Sequence, residues 1–295
     1  MGSDDAPEPR AGPSRADEAI GSAMRRRQAV RRVLVWCGIL ATLAWQPAGA
    51  ATNCSAAVPY WQRLESELVE RGHATDTGAL IRLARAPHDG ANLMDPTDDR
   101  ADAIKVLGLR GEQASTSALW SLACDDDSAY IRRLAATALA RLGDDRGVVL
   151  LRAELAAAQN IYDRLFLARA LAGLGDTTGY RDVLDAATSP ASTYRIFSAG
   201  VLVQFQGRII EGEPAVPEPA EVLLSLAEDP EPDVRWVVAA QLPRLVDRGV
   251  ARDRVAPALE LLAEDPDPGI GKVAKWMLAA VLNQDGRSAA EHAER

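Results

Sequence analysis

This chain is poor in the residues from which most active sites are built. Of its 295 residues only three are His (His73, His88, His292) and three are Cys (Cys37, Cys54, Cys124). No His has a second His at helical ligand spacing, so a histidine-based catalytic metal centre is not expected. Cys-x-x-Cys, a phosphate-binding glycine loop and a nucleophile elbow are all missing, and with them the chemistry those motifs carry. Aromatics make up only 5%, whereas strand-rich chains lean on aromatic and β-branched residues. Lysine is nearly absent too: beyond Lys105, Lys272 and Lys275, the positive charge is all Arg.

What is present points to helices. Hydrophobic residues reach 47%, and much of that is Ala and Leu, which favour an all-α fold. The formal charge is −9; without residues 1–50 the body carries 26 basic against 37 acidic residues, a net −11. An acidic body is repelled by phosphate backbones unless it segregates a basic face. Nucleic acid is therefore not an expected partner.

Residues 24–50 have the three parts of a secretory signal: the Arg-rich start Met24 to Arg32, the apolar run Val33 to Trp45, and a small-x-small site ending at Ala50. A helix of that length falls short of the hydrocarbon core of a bilayer, about 30 Å thick. Cleavage after Ala50 and a periplasmic or extracellular body are expected. An uncleaved N-terminal membrane anchor with the body still exported is the alternative. Residues 1–23 are rich in Pro, Gly, Ser and Asp and read as a disordered extension, with Met24 a second possible start. Asn53 before Cys54 does not fit a lipoprotein signal. Cys54 and Cys124 remain as a possible disulfide in an oxidising compartment, or as two unrelated thiols.

Self-comparison gives the strongest signal. Ile131 to Asp144 aligns with Asp163 to Asp176, ten of the fourteen columns holding identical or similar residues. The register puts Arg100, Arg132, Arg164, Arg195 and Arg235 in one column. Seven places later stand Leu107, Leu139, Leu171, Leu202, Leu242 and Leu278. Ala103, Ala135, Leu167, Ser198, Val238 and Ala274 lie at +3, and Arg110, Leu142, Leu174, Phe205, Leu245 and Val281 at +10, with Arg110 the misfit. Offsets of 3, 7 and 10 keep one helix face inward. Thr137 and Arg169 fall between these columns, where alanine should change stability little. Gly143-Asp144 and Gly175-Asp176 supply helix ends, and Asp125 to Asp127 offer caps. Second apolar stretches at Thr116 to Ala123, Val148 to Ala157, Tyr180 to Ala187, Glu221 to Ala227 and Arg254 to Ala263 complete a helix-turn-helix unit.

The pattern Asp233-Val234-Arg235, and Ile131-Arg132 followed by Leu142-Gly143-Asp144, resembles the HEAT-like repeats of phycobilin lyases and other bacterial armadillo-type proteins. The resemblance implies a right-handed superhelical solenoid of about six repeats over residues 97–283. Residues 51–96 would be a linker with an irregular helical cap formed by Tyr60 to Arg71 and Thr77 to Ala86, and residues 284–295 a polar tail. The acidic, proline-rich loop Gly207 to Pro219 accounts for one lengthened repeat. HEAT-like hydroxylases bind iron through His-Glu pairs, and this chain has no such dipeptide.

Two constellations stand out. Tyr130, Tyr162 and Tyr194 recur beside the Arg column, and Trp236 follows Arg235; stacked repeats bring them to one edge, where they either meet a partner or seal the helix starts. The Arg column either bonds to acidic turns between repeats or faces a partner. An exported, non-enzymatic scaffold for a protein or peptide, with no cofactor, is the expected function. The alternative is an enzyme or accessory subunit of lyase type; Asp125, Asp126 and Asp127 are the one carboxylate cluster such a reading could use.

Overall fold

The structure, a computed structural model, describes residues 59–87, 98–208 and 216–283. The N-terminal extension, the signal segment, Cys54, His88, His292, residues 209–215 of the proline-rich loop and the C-terminal tail lie outside these. Thirteen α-helices and no strand occur among the described residues. Helices α1 (Tyr60–Glu70) and α2 (Thr77–Ala84) form the N-terminal cap. Then come α3 (Asp99–Arg110), α4 (Thr116–Asp125), α5 (Ala129–Arg141), α6 (Arg146–Ala157), α7 (Ile161–Gly173), α8 (Tyr180–Ala187), α9 (Ser192–Leu202), α10 (Pro219–Ser225), α11 (Pro232–Val246), α12 (Arg252–Ala263) and α13 (Pro268–Asn283).

Local chemistry sets the ends of these helices. Asp76, Asp98, Ser128 and Asn160 cap α2, α3, α5 and α7 by accepting backbone N–H groups from the first turn. Pro219 and Pro232 open α10 and α11, where the missing N–H costs nothing. Helices α5 and α7 stop at Gly143 and Gly175, whose φ values of 83° and 95° lie in the left-handed region. Asp144 N and Asp176 N then donate to the carbonyls of Leu139 and Leu171. Gly147 on α6 is required for a different reason: a Cβ there would stand 2.3 Å from the Ala136 carbonyl oxygen on α5.

The odd-numbered helices from α3 to α13 pack on one another in succession and make an inner layer. The even-numbered helices α6 to α12 each bridge two neighbouring inner helices, α4 packs on α5, and these outer helices touch one another much less. Helix, turn, helix, repeated with each unit meeting its neighbours, is a HEAT/armadillo-like helical solenoid. The inner layer is uneven. Helix α7 packs only lightly on α5 and α9, whereas α3 on α5, α9 on α11 and α11 on α13 pack closely.

The core follows the repeat register. Leu107, Leu139, Leu171, Leu202 and Leu242 are fully buried, as are all six residues of the +3 column. Ser198 sits among them because its Oγ donates to the Val183 carbonyl at 2.7 Å. Leu278 is half-buried, since α13 is the last described helix and has inner and outer neighbours on one side only. Arg110, the misfit, serves the cap instead, donating to the Thr75 carbonyl at 2.8 Å and pairing with Glu65 and Glu112.

One expectation is corrected. Thr137 lies between the core columns yet is buried, and its Oγ1 donates to the Arg133 carbonyl at 2.7 Å. The cause is the tight α3–α5 contact: a Cβ on Gly108 would stand 2.7 Å from that of Ala138. A helix packed against an inner neighbour as well as an outer one buries more than one stripe.

Candidate functional site

The inner layer holds every residue that the repeat analysis singled out beside the ladder. Arg195 Nε and Nη2 donate to Asp229 Oδ2 and Oδ1 at 2.6 and 2.9 Å, while its Nη1 donates to the carbonyls of Ser189 and Pro190 at 2.8 and 3.0 Å. Arg235 does the same one unit later, forking onto Asp265 at 2.6 and 3.0 Å and donating to the carbonyls of Asp229 and Pro230 at 2.8 and 3.2 Å. Asp229 therefore takes one Arg on its side chain and the next on its backbone. Such two-pronged, charge-assisted bonds are both strong and directional. Near the other end, Arg100 pairs with Asp126, and Arg132 donates to the Asp126 carbonyl at 2.7 Å. Of the two readings of the Arg column, bonding to acidic inter-repeat turns describes these contacts.

The aspartates form a column of their own, six places before the Arg of their unit: Asp126, Ala158, Ser189, Asp229, Asp265. The two gaps fall beside α7. In the register Ala158 stands to Arg132 as Asp229 stands to Arg195; Arg133 of α5 pairs instead with Asp163 of α7, and Arg164 turns to Asp182 of α8, with Nε 2.6 Å from Oδ1. Light packing of α7 and the missing aspartates coincide. Aromatic rings occupy this stretch: Tyr130 meets Phe166 edge-on with centroids 5.9 Å apart, and Tyr162 meets Tyr194 and Phe197 at 5.1 and 5.6 Å. Tyr130, Tyr162, Tyr194 and Trp236 are all half-buried.

The inner surface also carries a basic cluster that the repeat analysis passed over. At about 100° per residue, positions five and nine after the ladder arginine point away from the core columns. They hold Lys105, Arg141, Arg169 and Arg244 and no carboxylate. Arg141 reaches solvent, and Arg169 and Arg244 are half-buried. The Arg141 guanidinium holds its proton less tightly than usual, through burial and then the like charge of Arg169, with Tyr60 acting in the opposite sense. Arg244 is lowered likewise, by burial, then by Arg248 and Arg169, with Asp247 acting in the opposite sense. Arg244 Nη1 donates to Gln241 Oε1 at 3.0 Å.

The remaining candidates separate. Ser128, not the Asp run, caps α5; Asp126 accepts the Ser128 N–H at 2.9 Å as well as Arg100, so that carboxylate is engaged in structure. His73 Nε2 lies 2.6 Å from Asp99 Oδ2, and Arg71 pairs with Asp99 and Asp102 at 3.0 and 2.9 Å, tying the cap to α3. Cys124 is exposed near the end of α4, and Cys54 lies outside the described residues. If the two are joined, thiol labelling of denatured, unreduced protein should find neither; two labelled thiols would end the pairing. No described helix is long and apolar enough to cross a membrane.

No family model and no curated protein matches the chain. Among solved structures, a designed armadillo repeat protein is 14% identical with a TM-score of 0.35, covering 70% of this chain and 100% of its own. An engineered protein from a structural genomics consortium is 19% identical with a TM-score of 0.37, covering 77% of this chain and 98% of its own.

Proposed function

We propose that this chain is a non-enzymatic scaffold that works in the cell envelope and holds a protein or peptide partner along its inner helix layer. The observation that carries the reading is the loosened stretch around α7. There the inner layer is lined by half-buried tyrosines and arginines, residue types that dominate binding at protein interfaces. A solenoid offers an extended surface of this kind along its repeats. Export rests on the Arg-rich start, apolar run and Ala48-Gly49-Ala50 site of residues 24–50.

Affinity purification from envelope fractions through a C-terminal tag, with N-terminal sequencing of the product, tests both halves. A mature start at Ala51 and a co-eluting protein are expected. A soluble cytoplasmic product beginning at Met1 or Met24 would overturn export, and turnover of a small molecule with no protein recovered would overturn the scaffold.

A further inference from the structure

We infer that the partner is seated through a carboxylate-rich, extended segment, gripped by Arg141, Arg169 and Arg244 on the inner face around α7. This rests on the scaffold reading above and names the chemistry of its occupant.

Three observations lead there. First, charge is segregated: the body has a net −11, yet the two columns facing away from the core carry no acid, and besides Lys105, which pairs with Asp102, they hold Arg141, Arg169 and Arg244. Second, the cluster spans the place where the inner layer is loosest. Arg141 lies on α5, Arg169 on the lightly packed α7 and Arg244 on α11, and the residues between them at the same level are small or neutral, Gly173, Gly200 and Gln204. Gly173 is exposed, and a Cβ there would lie 3.8 Å from Gln204 Oε1. The guanidinium groups thus border a floor with little side chain on it. Third, after burial, the like charge of Arg169 weakens the hold of both Arg141 and Arg244 on their protons. Among the described residues no carboxylate is set against Arg141. Crowded cations of this kind gain most from an anionic ligand, and planar guanidinium favours carboxylate through paired N–H bonds.

The chemistry of the surroundings selects the class of anion. Asp144, Asp176 and Asp247 stand twelve places after Arg132, Arg164 and Arg235, at the ends of the same inner helices. A long polyanion such as nucleic acid would have to run past them and across the acidic body. A short acidic stretch of polypeptide fits the cluster without doing so.

The test uses the purified chain and a fluorescein-labelled glutamate-rich peptide, followed by anisotropy, beside a copy with Gln for each Glu. Saturable binding to the acidic peptide, falling with salt, is expected. Arg141→Gln with Arg244→Gln should weaken it about tenfold or more. The paired Arg→Lys variant, which keeps the charge and loses the paired N–H bonds, should bind between parent and double Gln variant, and Arg146→Gln, on an outer helix, should retain all of the affinity. Equal affinity in parent and double Gln variant, or equal binding of the neutral peptide, would overturn the proposal. So would a sulfated polysaccharide or single-stranded DNA that binds more tightly through the same arginines. A partner recovered from the envelope equally well by parent and double Gln variant sinks the basic seat and leaves the scaffold standing. Arginine-dependent peptide binding with no partner recovered does the reverse.

Discussion

Leu171→Ala should lower the stability of the protein by about 2–5 kcal/mol, because Leu171 is fully buried between α7 and its neighbours and the vacated volume cannot be refilled. The comparison that gives the number meaning is Arg169→Ala, two residues away on the same helix. Arg169 points away from the core columns, so its loss should change stability by about 0.5 kcal/mol or less. Solenoid units meet only their neighbours, so the damage from Leu171→Ala should be local first. Hydrogen exchange should show the largest loss of protection in α7 and α8, then in the flanking units. Equal and small effects of the two substitutions would mean that the +7 column does not face the core.

Asp229→Ala should be the most damaging change in the ladder. The side chains of Asp229 and Arg195 are only 4% and 11% exposed, and Asp229 also accepts the Glu231 N–H at 2.9 Å. Removing the carboxylate strands a mostly buried guanidinium and an unpaired amide, at a cost of about 2–4 kcal/mol, between the limits for surface and buried pairs. Chemical denaturation of parent and variant at neutral pH reads this directly. The neighbouring pair adds a pH signature. Hydrogen bonding from Arg235 holds the Asp265 carboxyl below its usual range, against the opposing effect of burial. A depressed folded pKa means stability that is present above the unfolded value, about 3.9, and is lost as the pH falls through the folded one. The gap in stability between parent and Asp265→Ala should therefore be constant from pH 5 upward, at roughly its neutral value, and close below about pH 4. A gap that persists unchanged in acid would show that Asp265 contributes by packing and not by charge.

The Leu column was legible in the sequence because burial against an outer helix imposes a 3.6-residue period on residue type, and hydrophobicity is a coarse enough property to survive substitution. The outer helices were legible for the same reason. The ladder was half legible. The Arg recurs in register, but its partners lie 26 to 34 residues further along in turns, and two of the five turn positions are Ala158 and Ser189. The basic cluster was not legible at all. Arg141 and Arg244 occupy one column and Arg169 another, with Gly173 and Gln204 intervening, so no residue type repeats. Only the orientation of the helices, once known, puts them on one surface. Thr137 failed for a related reason: periodicity reports the face toward the outer layer and is silent on how closely inner helices approach each other.

The gaps in the aspartate column have a mechanical consequence. Each two-pronged Arg–Asp fork acts as a rivet between successive inner helices, whereas the joint of α5 to α7 is made by a single prong, Arg133 Nη1 on Asp163 Oδ1. Stiffness is therefore distributed unevenly along the inner layer and is least where α7 packs lightly on α5 and α9. A load applied along the layer is taken up first by bending around α7. The site at which the surface best adapts to the contour of a bound chain is thus the site at which the molecule as a whole yields.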